Sequence, residues 1–162
     1  MILTAAFFSA AIVAGTPLLF ATLGEILTEK AGNLNLGVEG MMLMGAVMGF
    51  MVGLKTNSPF LAILAAAVAG AAGAFIYAFL TVTLRANQVV SGLTLTIFGT
   101  GFSGFIGKSL VGEIMTVDIR KFFAPVEVPL LSKIPIVGKV FFHQDVFVYL
   151  GYVLAVILGV YM

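Results

Sequence analysis

The chain contains no cysteine, a single histidine and very little charge. Without cysteine there is no disulfide, no thiolate metal site and no cysteine nucleophile. One imidazole is too few for a metal centre built on histidines. Charged residues make up 9% of the 162 positions, well below the ~25% of an ordinary soluble domain. Water-compatible side chains at that density cannot cover a surface, so lipid is the expected solvent for most of the chain. The net charge of +1 also leaves no basic stripe to displace phosphate counterions, which argues against a nucleic-acid partner.

What is present is apolar: 61% of the residues are hydrophobic and the mean hydropathy is +1.19. Nine of the charged residues fall between Lys108 and Asp145, and the others (Glu25, Glu29, Lys30, Glu39, Lys55 and Arg85) punctuate the first 107 positions. The runs between them approach the ~20 residues that span a ~30 Å hydrocarbon core. They are long and lack the alternation of a membrane barrel, so the expected fold is all-α: a polytopic transmembrane bundle. Five membrane segments can be drawn, at about 2–28, 38–54, 59–84, 88–107 and 146–162. The first lacks a basic leader and is too long for a signal-peptide core, so it reads as a retained helix. Ser58-Pro59 marks a helix start, with Ser58 as cap and Pro59 where a missing N–H costs nothing.

Small residues recur four apart at Gly45, Gly49 and Gly53, and again at Gly99, Ser103 and Gly107. Each set places a smooth strip on one helix face, where a neighbouring backbone can approach closely. The segment 108–145 contains Pro125, Pro129 and Pro135 and mixes charges with short apolar clusters such as Ile134–Val137. It is too broken to span and too apolar for a solvated tail, and reads as a loop lying on the protein's own surface or dipping partly into the bilayer edge.

The informative stretch is Ala31-Gly32-Asn33-Leu34-Asn35-Leu36-Gly37-Val38-Glu39-Gly40. Glycines and asparagines here break an apolar run at membrane depth or at its edge, and such a break is tolerated only if it is buried in protein or lines a wet cavity. Glu39 begins the next helix, where the positive end of the dipole favours a carboxylate. Two readings stay open: a plain turn capped by Glu39, or a substrate-lining break of the transporter type. Asn87, Gln88 and Ser91 form a second polar cluster, either as an interfacial cap or as hydrogen-bonding groups facing a pathway. The pathway candidates are therefore Asn33, Asn35, Glu39, Asn87, Gln88 and Ser91. No catalytic or metal-binding set accompanies them. Gly107-Lys108-Ser109 lacks the earlier glycine of a phosphate-binding loop, since Phe102 stands there.

Asn33–Leu43 resembles the signature of permeases of nucleoside and simple-sugar ABC importers, in the branched-chain and ribose-like permease superfamily. The turn Glu29-Lys30-Ala31-Gly32 before it and the block Ala86–Leu93 are similar to that family in order and spacing, and Pro129–Gly138 with Phe141-Phe142 is similar to the external loop of its nucleoside branch. The resemblance implies a subunit without enzymatic activity or a cofactor of its own, ATP being bound by separate subunits. It implies alternating access and partnership with a second permease subunit, ATP-binding cassette ATPase subunits and a substrate-binding lipoprotein. The setting it implies is lipid, in the plasma (inner) membrane of a prokaryote. Members are roughly twice as long, so the chain is expected to be an N-terminal portion.

The family also implies that 108–145 is external, whereas the Lys and Arg count, heavier in that loop, places it inside by the positive-inside rule. Two other classes compete. Gly101-Phe102-Ser103-Gly104 resembles the serine motif of rhomboid intramembrane proteases, but the one available base is His143, in a polar helix entrance. The short length alone would fit a non-transporting remnant or assembly protein.

Overall fold

The computed structural model describes residues 2–128, 132 and 137–161. The element order is α1 (Ile2–Lys30), α2 (Val38–Thr56), α3 (Pro59–Ala78) running into a π turn (Phe79–Thr83), and α4 (Gln88–Gly107) ending in a 3₁₀ turn (Lys108–Leu110). After these come α5 (Val117–Phe122), β1 (Val126–Glu127), α6 (Val137–Phe141), β2 (His143–Gln144) and α7 (Val146–Tyr161). Among the described residues four helices are long and apolar enough to cross a membrane: Ala5–Lys30, Val38–Thr56, Pro59–Thr83 and Gln88–Leu110. The fifth expected segment, Val146–Tyr161, is apolar but shorter, at 16 residues. The chain is thus an all-α polytopic bundle, with one two-residue antiparallel pairing of Val126–Glu127 with His143–Gln144 among the described residues.

Local chemistry sets the boundaries. Ser58 Oγ accepts a hydrogen bond from Leu61 N at 3.4 Å and Pro59 opens α3, as the Ser-Pro pair predicts. Asn57 closes α2 in the left-handed conformation, at φ 52°, which asparagine tolerates better than most side chains. The third segment is not α-helical to its end. Thr81 Oγ1 donates to Tyr77 O at 2.9 Å, and the β-branched run Thr81-Val82-Thr83 follows. Both features loosen an α-helix, and the last turn widens until Leu84 N donates to Phe79 O.

Two compact units divide the chain, one of Glu25–Phe122 and the other of Met1–Gly24 with Phe123–Met162. Within the first, α2 is the most buried of the membrane helices. Its glycines meet α3 in antiparallel order: a Cβ built at Gly45 would lie 3.1 Å from Ala66 O, one at Gly49 3.0 Å from the Ala66 methyl, and one at Gly53 3.3 Å from that of Ala62. The opposite face of α2 meets α4, here in parallel order. Gly37 lies against Gly92, Gly40 against Leu95, Thr96 and Gly99, and Val47 against Gly107. The approach is so close that a Cβ at Gly99 would run into the main chain of Gly40, and one at Gly40 into that of Leu95 and Thr96.

The segment expected as a loop lying on the protein's own surface contains short elements, and some of its apolar side chains are buried. Ile119 of α5 is buried in the first unit, and Val140 of α6 in the second. In the second unit Gly151 of α7 packs on Leu19 and Phe20 of α1, Phe123 stacks on Phe147 at 5.8 Å, and His143 pairs with Glu127 at 3.3 Å. Residues 134–136 of the cluster Ile134–Val137, and most of the Pro129–Gly138 stretch, lie outside the described residues.

Candidate functional site

The break lies at one end of the first unit, over residues 31–37, between α1 and α2. Because α2 and α4 run in parallel, both helix N-termini reach this end, and the antiparallel α3 brings Tyr77 to it. Gly32 takes a positive φ of 87°, open to glycine without steric cost, and so turns the chain out of α1.

An unwound stretch beside lipid must find partners for its main-chain groups, and here side chains from three helices supply them. Leu34 N donates to Gln88 Oε1 at 2.9 Å, and Gln88 Nε2 donates to Gly32 O and to Asn33 Oδ1, both at 3.2 Å. Tyr77 donates its hydroxyl to Leu34 O at 2.6 Å. Asn35 N donates to Glu25 Oε1 at 2.7 Å, while the other Glu25 oxygen accepts from Thr28 Oγ1 at 2.9 Å. Thr96 Oγ1 donates to Leu36 O at 2.8 Å.

The sequence candidates come together here but divide into different roles. Asn35 is buried. Its Oδ1 accepts from Gly37 N at 3.0 Å, and its Nδ2 points to Met41 Sδ at 3.8 Å. Asn87 caps α4, accepting from Val90 N at 3.1 Å. Ser91 is buried one turn further on. Asn33 is half-buried and held by Gln88. Glu39 stands in the first turn of α2, exposed, and among the described residues it has no hydrogen-bond or ion-pair partner. Of the packing candidates, Gly45, Gly49 and Gly53 face α3, and Gly99 faces Gly40. Ser103 and Gly107 line a shallow depression of about 410 Å³ with Ala46, Val47, Phe50, Leu110 and Val111.

Sequence reasoning passed over Glu25, Tyr77 and Thr96. Glu25 carried a usable signal, a carboxylate in the last two turns of a membrane helix, ahead of its Glu29-Lys30 end, which is a functional marker by default. Tyr77 and Thr96 carried none, since their partners are main-chain carbonyls more than forty positions away. The serine-protease alternative finds nothing in the first unit: the depression beside Ser103 is lined by apolar side chains and glycine, with no titratable base.

These features define a class, a polytopic helical membrane protein whose tightly packed helices frame a polar, unwound segment. More specifically, the chain belongs to the family described as branched-chain amino acid transport system permease components, whose model matches residues 7–162. It is 42% identical to a putative glucose ABC transporter permease of Haloferax volcanii, over 93% of this chain and 46% of that protein. It is 34% identical to a guanosine ABC transporter permease of Bacillus subtilis, over 93% of this chain and 48% of that one. A nucleoside ABC transporter permease of Lactococcus lactis is also 34% identical, over 82% and 44%. The chain therefore spans about half the length of these relatives. No solved structure matches it significantly.

Proposed function

We propose that this chain is part of the transmembrane permease of an ABC importer that takes up nucleosides or a related sugar-containing solute across the plasma membrane of a prokaryote. The observation that carries the reading is the family match together with relatives named for glucose, guanosine and nucleosides. A sugar ring is the chemistry those solutes share. In this reading the subunit catalyses nothing and binds no cofactor. ATP is hydrolysed by partner cassette subunits, a second permease subunit completes the channel, and a lipoprotein receptor delivers the solute. Transport follows from a shift between two states of the helix bundle. The clamped break supplies one wall of the pathway. Asn35, Asn87, Gln88 and Ser91 shape that wall, and Asn33 and Glu39 offer acceptors to sugar hydroxyls, each bond adding about 1 kcal/mol net.

The test is uptake by the assembled importer in membranes, with labelled nucleosides and glucose offered separately and in competition. Saturable, ATP-dependent uptake of one of them is expected. Glu39→Gln should cut that uptake at unchanged membrane level, because a charged acceptor makes the stronger bond. If Glu39 only complements the helix dipole, the same change costs about 0.5 kcal/mol of stability and leaves uptake intact. Intact uptake would remove Glu39 from the pathway.

A further inference from the structure

The side chains that hold the break differ in the polarity they need. Both Glu25 oxygens act purely as acceptors, from Asn35 N at 2.7 Å and Thr28 Oγ1 at 2.9 Å. The single Thr28 hydroxyl hydrogen is shared with its own helix at Glu25 O, 2.8 Å away; turned wholly to that carbonyl, it leaves lone pairs that can accept from an amide placed where the second carboxylate oxygen now lies. Gln88 is the reverse case. Its Oε1 receives Leu34 N at 2.9 Å, but its Nε2 is wedged between two acceptors, Gly32 O and Asn33 Oδ1, each at 3.2 Å. A carboxylate there would set an oxygen against two oxygens. Tyr77 completes the set by donating to Leu34 O at 2.6 Å, so the groups of Leu34 and Asn35 are tied to α1, α3 and α4 together.

From this we infer that Glu25, Tyr77 and Gln88 are positioning residues that fix the main chain of the break as a preformed part of the pathway wall. Glu25 serves them as a hydrogen-bond acceptor, not as a charge that binds the solute or travels during the cycle. The inference rests on the importer reading above. It does not involve the six sequence candidates equally, since Gln88 alone belongs to both sets. Held from three helices, the break moves with the N-terminal turn of α4 and does not rewind during transport.

The experiment measures KM and maximal rate for the assembled importer carrying Glu25→Gln, Glu25→Ala, Gln88→Glu or Tyr77→Phe, at matched membrane levels. Glu25→Gln is expected to stay within about twofold of wild type. Glu25→Ala and Gln88→Glu should raise KM about tenfold or more, because small misplacements at a binding wall cost factors of that order. Tyr77→Phe should fall between. Loss of uptake in Glu25→Gln equal to that in Glu25→Ala would overturn the proposal, since the charge itself would then matter. An unchanged KM with less assembled importer in Glu25→Ala and Gln88→Glu would also overturn it, leaving a merely structural role. A wild-type importer that moves no sugar-containing solute would instead fault the importer reading. Hydrogen exchange then still tests the clamp: the Leu34 and Asn35 amides should be protected in wild type and Glu25→Gln, and the Asn35 amide released in Glu25→Ala. Rapid exchange in wild type would sink it.

Discussion

At Asn35 and Gln144 the physics of single side chains can be followed closely. Asn35 is an amide in an apolar neighbourhood, and it turns inward to receive Gly37 N, the last N–H of the unwound stretch before α2. Gln144 solves the same problem in the other unit. It is 1% exposed, and its Nε2 donates to Val140 O at 2.6 Å and to Ser9 Oγ at 3.0 Å. Its main-chain N–H is taken by the Tyr149 hydroxyl at 3.2 Å, which in turn donates to Val126 O at 3.1 Å. One buried amide therefore joins α1, α6 and the β1–β2 pair. Gln144→Leu keeps most of the volume but strands a carbonyl and a hydroxyl, and stranded buried groups cost about 1–3 kcal/mol. A drop of that size should appear in denaturant or thermal unfolding in detergent. His143→Ala, which removes only an exposed pairing with Glu127, should change stability by less than about 1 kcal/mol.

At the scale of elements, α4 has two faces that can be told apart by adding a single methyl. On the α2 side a Cβ at Gly99 would meet the main chain of Gly40, while at Gly101 and Gly104 nothing lies within 4 Å. Gly99→Ala should therefore force α2 and α4 apart, at about 1–3 kcal/mol or more. Gly101→Ala should be neutral or stabilising by about 0.5–1 kcal/mol, through helix propensity alone. Thermal unfolding of the two variants side by side is the check, and equal effects would refute the assigned packing face. The glycine ladder of α2 and the helix start at Ser58 were legible in the sequence, because spacing and capping are local. The π turn after Ala78 was not, since the apolar pattern runs through it unbroken. The break itself was legible from its glycines and asparagines. The division of labour inside it was not, because Glu25, Tyr77, Gln88 and Thr96 reach it from separate helices, and distance along the chain hides which polar groups already have partners.

For the whole molecule, the structure sharpens a question of orientation that charge and ancestry answer differently. In the first unit the break and the turn after α2 lie at opposite ends of α2, 19 residues long, or roughly 28 Å at 1.5 Å per residue. Lys55 and Asn57 of that turn share a cavity of about 500 Å³ with Ser109, Glu113 and Thr116, so the 108–116 stretch lies at the end away from Lys30 and Arg85. By the positive-inside rule the cationic excess of 108–145 would hold this cavity end in the cytoplasm. We propose the opposite: the family resemblance makes 108–145 external, and the exposed cations Lys108, Arg120 and Lys121 belong to a stretch anchored by the buried Ile119, where they weigh less than charges in a free loop. The absence of cysteine makes the test direct. Ala31→Cys and Glu113→Cys each place a lone thiol at one end of the unit, both at exposed positions. An impermeant thiol reagent applied to intact cells should label Glu113→Cys and spare Ala31→Cys, and permeabilised cells should label both. The reverse pattern in intact cells would show that the lysines and arginines set the topology, and that the clamped break faces outward.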